Sequence, residues 1–396
     1  MTALTRAGSA EIKVLSGNYS AAYGAKLSQV EVVAFYPITP ATTMLEKVAE
    51  FAFKGELKAH VVMAEGEHSA MSILIGASMA GARCFSGSAG QGIAYMHETL
   101  QYAGRGRHPM VMVGCSRGLY VGGGGTSWHP DHEDSLTARD SGWVQLFCQS
   151  AQEVLDSVIM GYKIAETASL PVMPVQEGFF MSHAYEPVHL PDPEAVSSYI
   201  PKEPRRIRLD PEKPVQFGTA DVSPFRSKYE HHQITSAALQ VVKDSNAEFK
   251  EAFGRSWEVV DPYKCDDADV VFMVLGTLTD SCRVMVDRER DMGRKAGLLK
   301  VRLFSPFPKR EIAQVLSVAK KVGIIERGYS FGHGGHLALE TKAAMYDAGL
   351  KAPVFEFVSG LGGTDIPLKV YHEVADYVYG HDCPEESVIW KGVPAR

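Results

Sequence analysis

Through roughly the first 180 residues, a short apolar run repeatedly ends in a Gly, Pro or Ser turn and passes straight into a helical pattern. Strands that all point the same way need a crossover between them, and helices are the usual crossover, so this alternation selects a parallel sheet covered by helices. Glu31 to Tyr36 is the first predicted strand. After Pro37-Ile38, Thr39 is placed to cap a helix beginning at Pro40 and stopping near Gly55, with Met44, Leu45, Val48, Ala49 and Ala52 on one stripe. The pattern repeats as HVVM at 60–63 with a helix from about Ser69 to Ala80, and then as ARCFS leading into Gly87–Gly92 and a helix to about Ala103. PMVMVGC at 109–115 opens into Ser116-Arg117-Gly118, and Ser150 with Glu153 predicts a capping box for a helix to about Thr167, followed by the strand PVMPVQ. In such a sheet ligands bind beyond the carboxyl ends of the strands, so the loops are predicted to converge on one crevice.

Prolines crowd residues 186–225, a composition that predicts an extended connector without regular elements. A helix over about 229–253 then leads to a second alternating region with strands expected at 268–276, 297–304, 320–327 and 353–360. The expected division is 1–255, connector included, and 256–396. With 396 residues, 45% of them hydrophobic, the chain is long enough for two globular domains.

Composition removes several classes of function. A formal charge of −7 supplies no basic field for a nucleic acid. The N-terminus MTALTRAGSAEIKVL has no apolar signal core and no stretch reaches about 18 uncharged apolar residues, so no membrane span and a cytoplasmic location are expected. Six scattered cysteines without a C-x-x-C pair argue against a self-contained zinc or iron–sulfur site and read as buried free thiols.

Several residues at strand ends carry chemistry. Tyr36-Pro37-Ile38-Thr39-Pro40 aims a hydroxyl and a helix N-terminus at the crevice, which suits an anionic or carbonyl ligand, although Thr39 acting as a cap alone also accounts for it. Glu65 and Glu67 follow the next strand. A partly desolvated carboxylate there has a raised pKa, while acids that merely answer the helix dipole are the competing reading. Gly87-x-x-Gly90-x-Gly92 matches no phosphate-loop spacing and permits close approach to a flat ring as readily as to phosphate. Arg117 is positioned either to grip a carboxylate bidentately or to form a surface salt bridge. The run Gly122–Gly125 is a lid or plain surface slack. Trp128–Asp134 gathers two histidines and three acids without any metal-ligand spacing, and 328–336 reads as an interdomain or intersubunit contact.

In order along the chain, YPITP at 36–40, GEHSA at 66–70, the serine-glycine loop at 86–92, Arg117, and DHED…ARDSGW at 131–143 resemble the alpha subunit of pyruvate:ferredoxin oxidoreductase and its 2-oxoacid relatives. LFSPFP, GIIER and VSGLGG resemble that family's second domain, itself similar to the transketolase C-terminal domain. The resemblance implies a thiamine diphosphate pyrimidine-binding domain in which Glu67 hydrogen-bonds the pyrimidine nitrogen and Pro37, Ile38, Thr39, Ser88 and Gln91 adjoin the cofactor. Thr39 and Arg117 are implied as substrate contacts. It also implies oxidative decarboxylation of a 2-oxo acid to acyl-CoA and carbon dioxide, with electrons leaving through [4Fe–4S] clusters to ferredoxin or NAD. The diphosphate and Mg2+ are expected in a beta subunit, and gamma and ferredoxin-like subunits are expected as further partners. No G-D-G motif with a downstream asparagine occurs in the chain, in keeping with half a cofactor site. After Arg117, GLYVGGGGTSW departs from the pyruvate enzymes and suggests a larger or aromatic acid such as phenylglyoxylate. Two other classes compete: a nucleotide-binding α/β dehydrogenase, for which no dinucleotide fingerprint is present, and a non-catalytic scaffold of the same fold.

Overall fold

The computed structural model describes residues 11–119, 127–202, 209, 212 and 223–393. The order of the first part is β1 (Glu11–Ser16), α1 (Gly17–Leu27), β2 (Val32–Phe35), α2 (Thr42–Phe53), β3 (His60–Met63), α3 (Glu67–Met79), β4 (Cys84–Ser88), α4 (Gln91–Tyr95), α5 (His97–Arg105), β5 (Val111–Ser116), α6 (Glu133–Thr137), β6 (Val144–Phe147), α7 (Ala151–Ala168) and β7 (Val172–Glu177). Then come β8 (Tyr185–Leu190), α8 (Pro193–Tyr199), α9 (Pro224–Phe253), β9 (Val260–Tyr263), β10 (Val270–Val274), α10 (Leu278–Asp291), β11 (Ala296–Val301) and β12 (Leu303–Ser305). The chain closes with α11 (Lys309–Leu316), β13 (Lys321–Glu326), α12 (His336–Asp347), β14 (Val354–Val358), α13 (Leu368–Gly380) and β15 (Ile389–Trp390).

Among the described residues, one sheet has the order β12-β6-β7-β5-β4-β2-β3, parallel apart from β12. A second has the order β15-β14-β13-β10-β11-β9, parallel apart from β9. The fold is therefore α/β, with a larger and a smaller parallel-sheet domain. Every residue of β4, β5, β6 and β7 is buried, which is why these strands read as continuous apolar runs and not as alternating ones. Alternation still decides which layer each residue feeds. Val111 and Val113 pack with α1, α2 and α7, while Met110 and Met112 pack with α3 and α5 on the opposite face. That second core continues without a break into Val271, Met273, Leu299 and Leu337 of the smaller domain.

Several local expectations are corrected. The ribbon β1–β8 and helix α1 precede or flank the first strand that patterning identified. Thr39 does not cap α2: Ala41 occupies that position, no side chain caps it, and the helix starts at Thr42. The turn is anchored from outside, because the Asn18 amide donates to Pro40 O at 2.7 Å and to Thr43 Oγ1 at 2.8 Å. The helix expected to run to Ala103 is broken at Met96 into α4 and α5. Residues 186–225 are not a featureless connector. Pro187 sits in a two-stranded ribbon where no second neighbour needs its missing N–H, and Asp192 caps α8 by accepting from Glu194 N and Ala195 N at 2.9 and 3.0 Å, with Pro193 in the first turn. The single strand expected over 297–304 is two strands in two sheets. β11 lies in the smaller sheet and β12 crosses to pair antiparallel with β6 at the edge of the larger one.

The crossing point is held by buried charge. Ser150 caps α7 as expected, accepting from Glu153 N at 3.2 Å, but the Glu153 carboxylate does not complete a capping box with Ser150. It accepts from Gln149 N at 2.9 Å, from Lys300 Nζ at 2.7 Å and from Arg302 Nε at 2.8 Å, while Arg302 Nη2 donates to Ser157 Oγ at 2.8 Å. Glu153, Lys300 and Arg302 are all buried. At the other junction Glu177, at the end of β7, accepts from Thr277 N at 2.9 Å and from Arg327 Nη1, and bonds His132 Nε2 at 3.0 Å. The loops after β7, β10 and β13 thus meet on one carboxylate. Burial pushes that carboxyl upward, but the Arg327 guanidinium and His132 outweigh it and hold it at about 2.

Both junctions can be tested by removing the carboxylate. Taking one member from a buried ion cluster strands its partners, so Glu153→Ala is expected to lower unfolding free energy by roughly 3–5 kcal/mol. Chemical denaturation checks this, and a loss below about 1 kcal/mol would reduce the cluster to filler. Glu177 has a folded-state value of about 2 against an ordinary 4.5, so its stabilisation is present above the ordinary value and disappears as pH falls through the folded one. Glu177→Gln is therefore expected to cost on the order of 3 kcal/mol at neutral pH, with the gap to wild type closing as the pH falls from about 4.5 towards about 2. Parallel pH–stability curves for the two proteins would contradict this.

Candidate active site

The carboxyl ends of β2, β3, β4 and β5 carry the residues that patterning singled out. Glu67 is the first residue of α3, behind Gly66, and is 6% exposed. Its neighbour across the crevice is the loop after β4: a Cβ on Gly92 would lie 2.4 Å from Glu67 Oε1 and 2.3 Å from Ser88 Oγ. Only a residue without a side chain admits this approach. Burial raises the Glu67 carboxyl above its ordinary value, against the opposing pull of its own backbone amide and of the Arg117 guanidinium. Glu65 behaves in the opposite way. It is exposed, bonded by Ser69 Oγ, and lowered by that hydrogen bond.

Arg117 emerges from β5 buried, at 6% exposure, and so does not form a surface salt bridge. Its Nη2 donates to Gln91 Oε1 at 2.6 Å, and Gln91 Nε2 in turn donates to Leu119 O. No carboxylate among the described residues pairs with the guanidinium, and its Nε lies buried without a hydrogen-bond partner. Ser88 Oγ shares that condition. Burial lowers the Arg117 pKa, with Asp134 and Glu67 opposing. Glu67, Ser88, Gln91 and Arg117 are therefore one cluster.

Pro37, Ile38 and Thr39 stand on the adjoining turn, with Pro37 and Thr39 exposed and Ile38 packed against the α1/α2/α7 core. Pattern reasoning did not reach the residue that holds this turn. Asn18 is fully buried in α1, and besides Pro40 and Thr43 it accepts from Gln176 Nε2 at 2.8 Å, a partner 158 positions away. The available signal was an amide inside the small-residue run GNYSAAYGA, a helix composition suited to burial on most sides.

The Trp128–Asp134 run has work of its own. Asp134 is buried and accepts from Gly90 N at 2.7 Å, Arg117 N at 3.1 Å and Ser116 Oγ at 2.8 Å, while His132 joins Glu177. Among the described residues no group of three or more His, Cys, Asp or Glu is placed to hold a metal. Gly122–Gly125 and Tyr120 lie outside the described residues. The loop after β13 does pack between the domains: Arg327 O accepts from His132 N at 2.7 Å, and a Cβ on Gly328 would sit 3.1 Å from Leu136. Among the described residues no helix is long and apolar enough to cross a membrane.

Residues 23–250 match the family described as pyruvate flavodoxin/ferredoxin oxidoreductase, thiamine diphosphate-binding, and 268–370 match pyruvate:ferredoxin oxidoreductase core domain II. The chain is 38% identical over 386 residues to pyruvate synthase subunit PorA of Methanothermobacter thermautotrophicus, covering 96% of this chain and 98% of that one. It is 40% identical over 372 residues to ketoisovalerate oxidoreductase subunit VorA of Pyrococcus horikoshii, covering 92% and 93%. In fold it is similar to the 2-oxoglutarate:ferredoxin oxidoreductase from Magnetococcus marinus, with a TM-score of 0.70 at 20% identity over 93% of this chain and 65% of that longer one. Ordered motifs, a parallel-sheet crevice and near full-length similarity agree: the chain belongs to the 2-oxoacid:ferredoxin oxidoreductase family, as an alpha subunit carrying the thiamine diphosphate-binding domain of a hetero-oligomeric oxidoreductase.

Proposed function

We propose that this chain binds the aminopyrimidine half of thiamine diphosphate through Glu67 and supplies Thr39 and Arg117 to a 2-oxo acid undergoing oxidative decarboxylation. The observation that carries the reading is the Glu67 cluster: a buried carboxyl raised by desolvation, pressed against Gly92, with the orphaned Ser88 Oγ and Arg117 Nε beside it. Buried polar atoms without partners in a native protein call for a ligand or water to meet them. The donor set fits the group. A carboxyl of raised pKa is suited to share a proton with a ring nitrogen, and Gly92, lacking a side chain, lets Glu67 and Ser88 lie close to its backbone.

When bound, the cofactor supplies a nucleophilic thiazolium carbon and an electron sink for decarboxylation. This chain's residues do the rest of what falls to them. Glu67 holds or releases a proton at its Oε atoms, Ser88 and Gln91 border the ring, and Pro37 and Ile38 shape the turn that presents the Thr39 hydroxyl. Arg117, oriented by Gln91, meets the substrate's negative charge in a partly desolvated setting where such an interaction counts for more than in water. We assign residues 1–255 to this pyrimidine-binding unit and 256–396 to the smaller one, which lends β12 to the larger sheet. The diphosphate with Mg2+ belongs in a beta subunit and the [4Fe–4S] clusters in partner chains, including gamma and ferredoxin-like subunits. Coenzyme A accepts the acyl group, and ferredoxin or NAD the electrons.

The relatives' names point to pyruvate and to ketoisovalerate, which differ in the bulk behind the 2-oxo group. The glycine-rich stretch after Arg117 favours the larger end of that range, extending to an aromatic acid such as phenylglyoxylate. Thiamine-dependent, viologen-coupled oxidation of pyruvate, ketoisovalerate and phenylglyoxylate by the native complex ranks the three.

In that assay Glu67→Gln, which cannot cycle a proton, is expected to lower turnover by about 10²–10⁴-fold. A fully active variant removes Glu67 from the role. Gly92→Ala puts a methyl group where Glu67 and Ser88 already lie, and is expected to weaken thiamine diphosphate retention, read as cofactor per complex after desalting. Full retention would show that the placement of Glu67 and Ser88 against Gly92 does not matter for holding the cofactor.

A further inference from the structure

Arg117 has its guanidinium in the crevice, but its backbone is held from behind. Besides the Gln91 side chain, which meets Arg117 and Leu119, one buried carboxylate ties the backbones of the loop after β4 and the loop after β5. Asp134 Oδ2 accepts from Gly90 N at 2.7 Å and from Arg117 N at 3.1 Å, and Oδ1 accepts from Ser116 Oγ at 2.8 Å and Ser135 N at 2.6 Å. Gly90 precedes Gln91, whose Oε1 is the 2.6 Å partner of Arg117 Nη2. One buried group therefore sets both ends of the Arg117–Gln91 contact.

The segment that carries Asp134 is itself fastened to the smaller domain. Gly363 N donates to Pro130 O at 3.0 Å, Ser127 Oγ to Gly362 O at 3.0 Å, and His132 N to Arg327 O at 2.7 Å. On its other side Gly118 N donates to His129 O at 3.2 Å, closing the segment back onto the Arg117 loop. The loop after β14 thus lies directly behind 127–134. Gly363 has φ +78°, and a Cβ there would fall 2.0 Å from His129 Cβ. No slack remains at that contact.

We propose that Asp134 is a positioning residue for Arg117, and that the strap 127–134 transmits the packing of the smaller domain to the substrate-binding geometry of the larger one. The proposal rests on Arg117 meeting the substrate, as argued above. It gives the smaller domain a part in substrate binding although that domain contributes no residue to the Glu67 cluster.

The test uses the assembled complex with the best 2-oxo acid and compares Asp134→Asn, Ser116→Ala, Gly363→Ala and Arg117→Ala. In Asp134→Asn the amide NH2 must face either Gly90 N and Arg117 N or Ser135 N, so the tie that holds the Arg117 backbone is weakened. KM is expected to rise about 10-fold or more, since displacements near 1 Å at a reacting group can change rates by about 10². Cofactor content stays at the wild-type level. Ser116→Ala, which removes one donor and leaves the two loop N–H contacts, is expected to stay within about 3-fold of wild type. Gly363→Ala is expected to raise KM in the same direction, and the double variant with Asp134→Asn to fall short of the product of the two effects, because both act through one strap.

Separate outcomes sink separate claims. If Arg117→Ala leaves KM unchanged, the substrate role of Arg117 falls and this proposal with it. If Arg117→Ala raises KM but neither Asp134→Asn nor Gly363→Ala does, the strap alone is overturned. Should Asp134→Asn fail to assemble, Gly363→Ala decides the question by itself: wild-type KM with a lowered melting temperature marks the strap as structural only.

Discussion

A guanidinium and a carboxylate removed from water together must satisfy each other, and the pair Arg327–Glu177 does this where the two sheets meet. Thr277 N and His132 complete the carboxylate, so groups from the ends of β7, β10 and β13 and from the 127–134 segment depend on one side chain. Withdrawing any of them leaves a buried charge short of a partner. The larger and smaller domains are thus joined through one buried carboxylate. The Glu153–Lys300–Arg302 cluster performs the same service at the sheet's edge, where the chain crosses from one sheet into the other.

The crevice inherits its geometry from these junctions. Parallel strands of similar length end on a common line, and the loops beyond them carry Glu67, Ser88, Gln91 and Arg117 into contact. Three neighbours help to place these groups: Gly92 by allowing approach, Asn18 by holding the 36–40 turn, and Asp134 by tying two loops. The same desolvation acts differently on the acids concerned. With no cation bonded to it, Glu67 is raised; with Arg327 against it, Glu177 is held at about 2.

Much of the site was legible in the chain itself because it lies where period and punctuation change together. YPITP, GEHSA, the 86–92 loop and Arg117 all stand at the end of an apolar run and the start of a polar or helical one, positions that patterning finds readily. Asn18 does not stand at such a boundary. Its partners are up to 158 positions away, and nothing local in GNYSAAYGA states that they will be near. The prolines of 186–199 misled for the opposite reason. Composition reported what they cannot do in a central strand, whereas a two-stranded ribbon and a helix's first turn do not need the N–H that proline lacks.

What the sequence determined by itself was the α/β class, the positions of the central strands of both sheets, and the family, since these rest on periodicity and ordered motifs that are properties of short segments. Tertiary structure alone decided that residues 303–305 join the larger sheet, that Glu153 anchors the smaller domain instead of closing a capping box, and that Arg117 is buried beside Gln91 and not paired at the surface. Each of those outcomes turns on which distant charge or N–H arrives at a buried group. That is settled by desolvation and hydrogen-bond satisfaction across the packed core, and a single segment holds only one side of it.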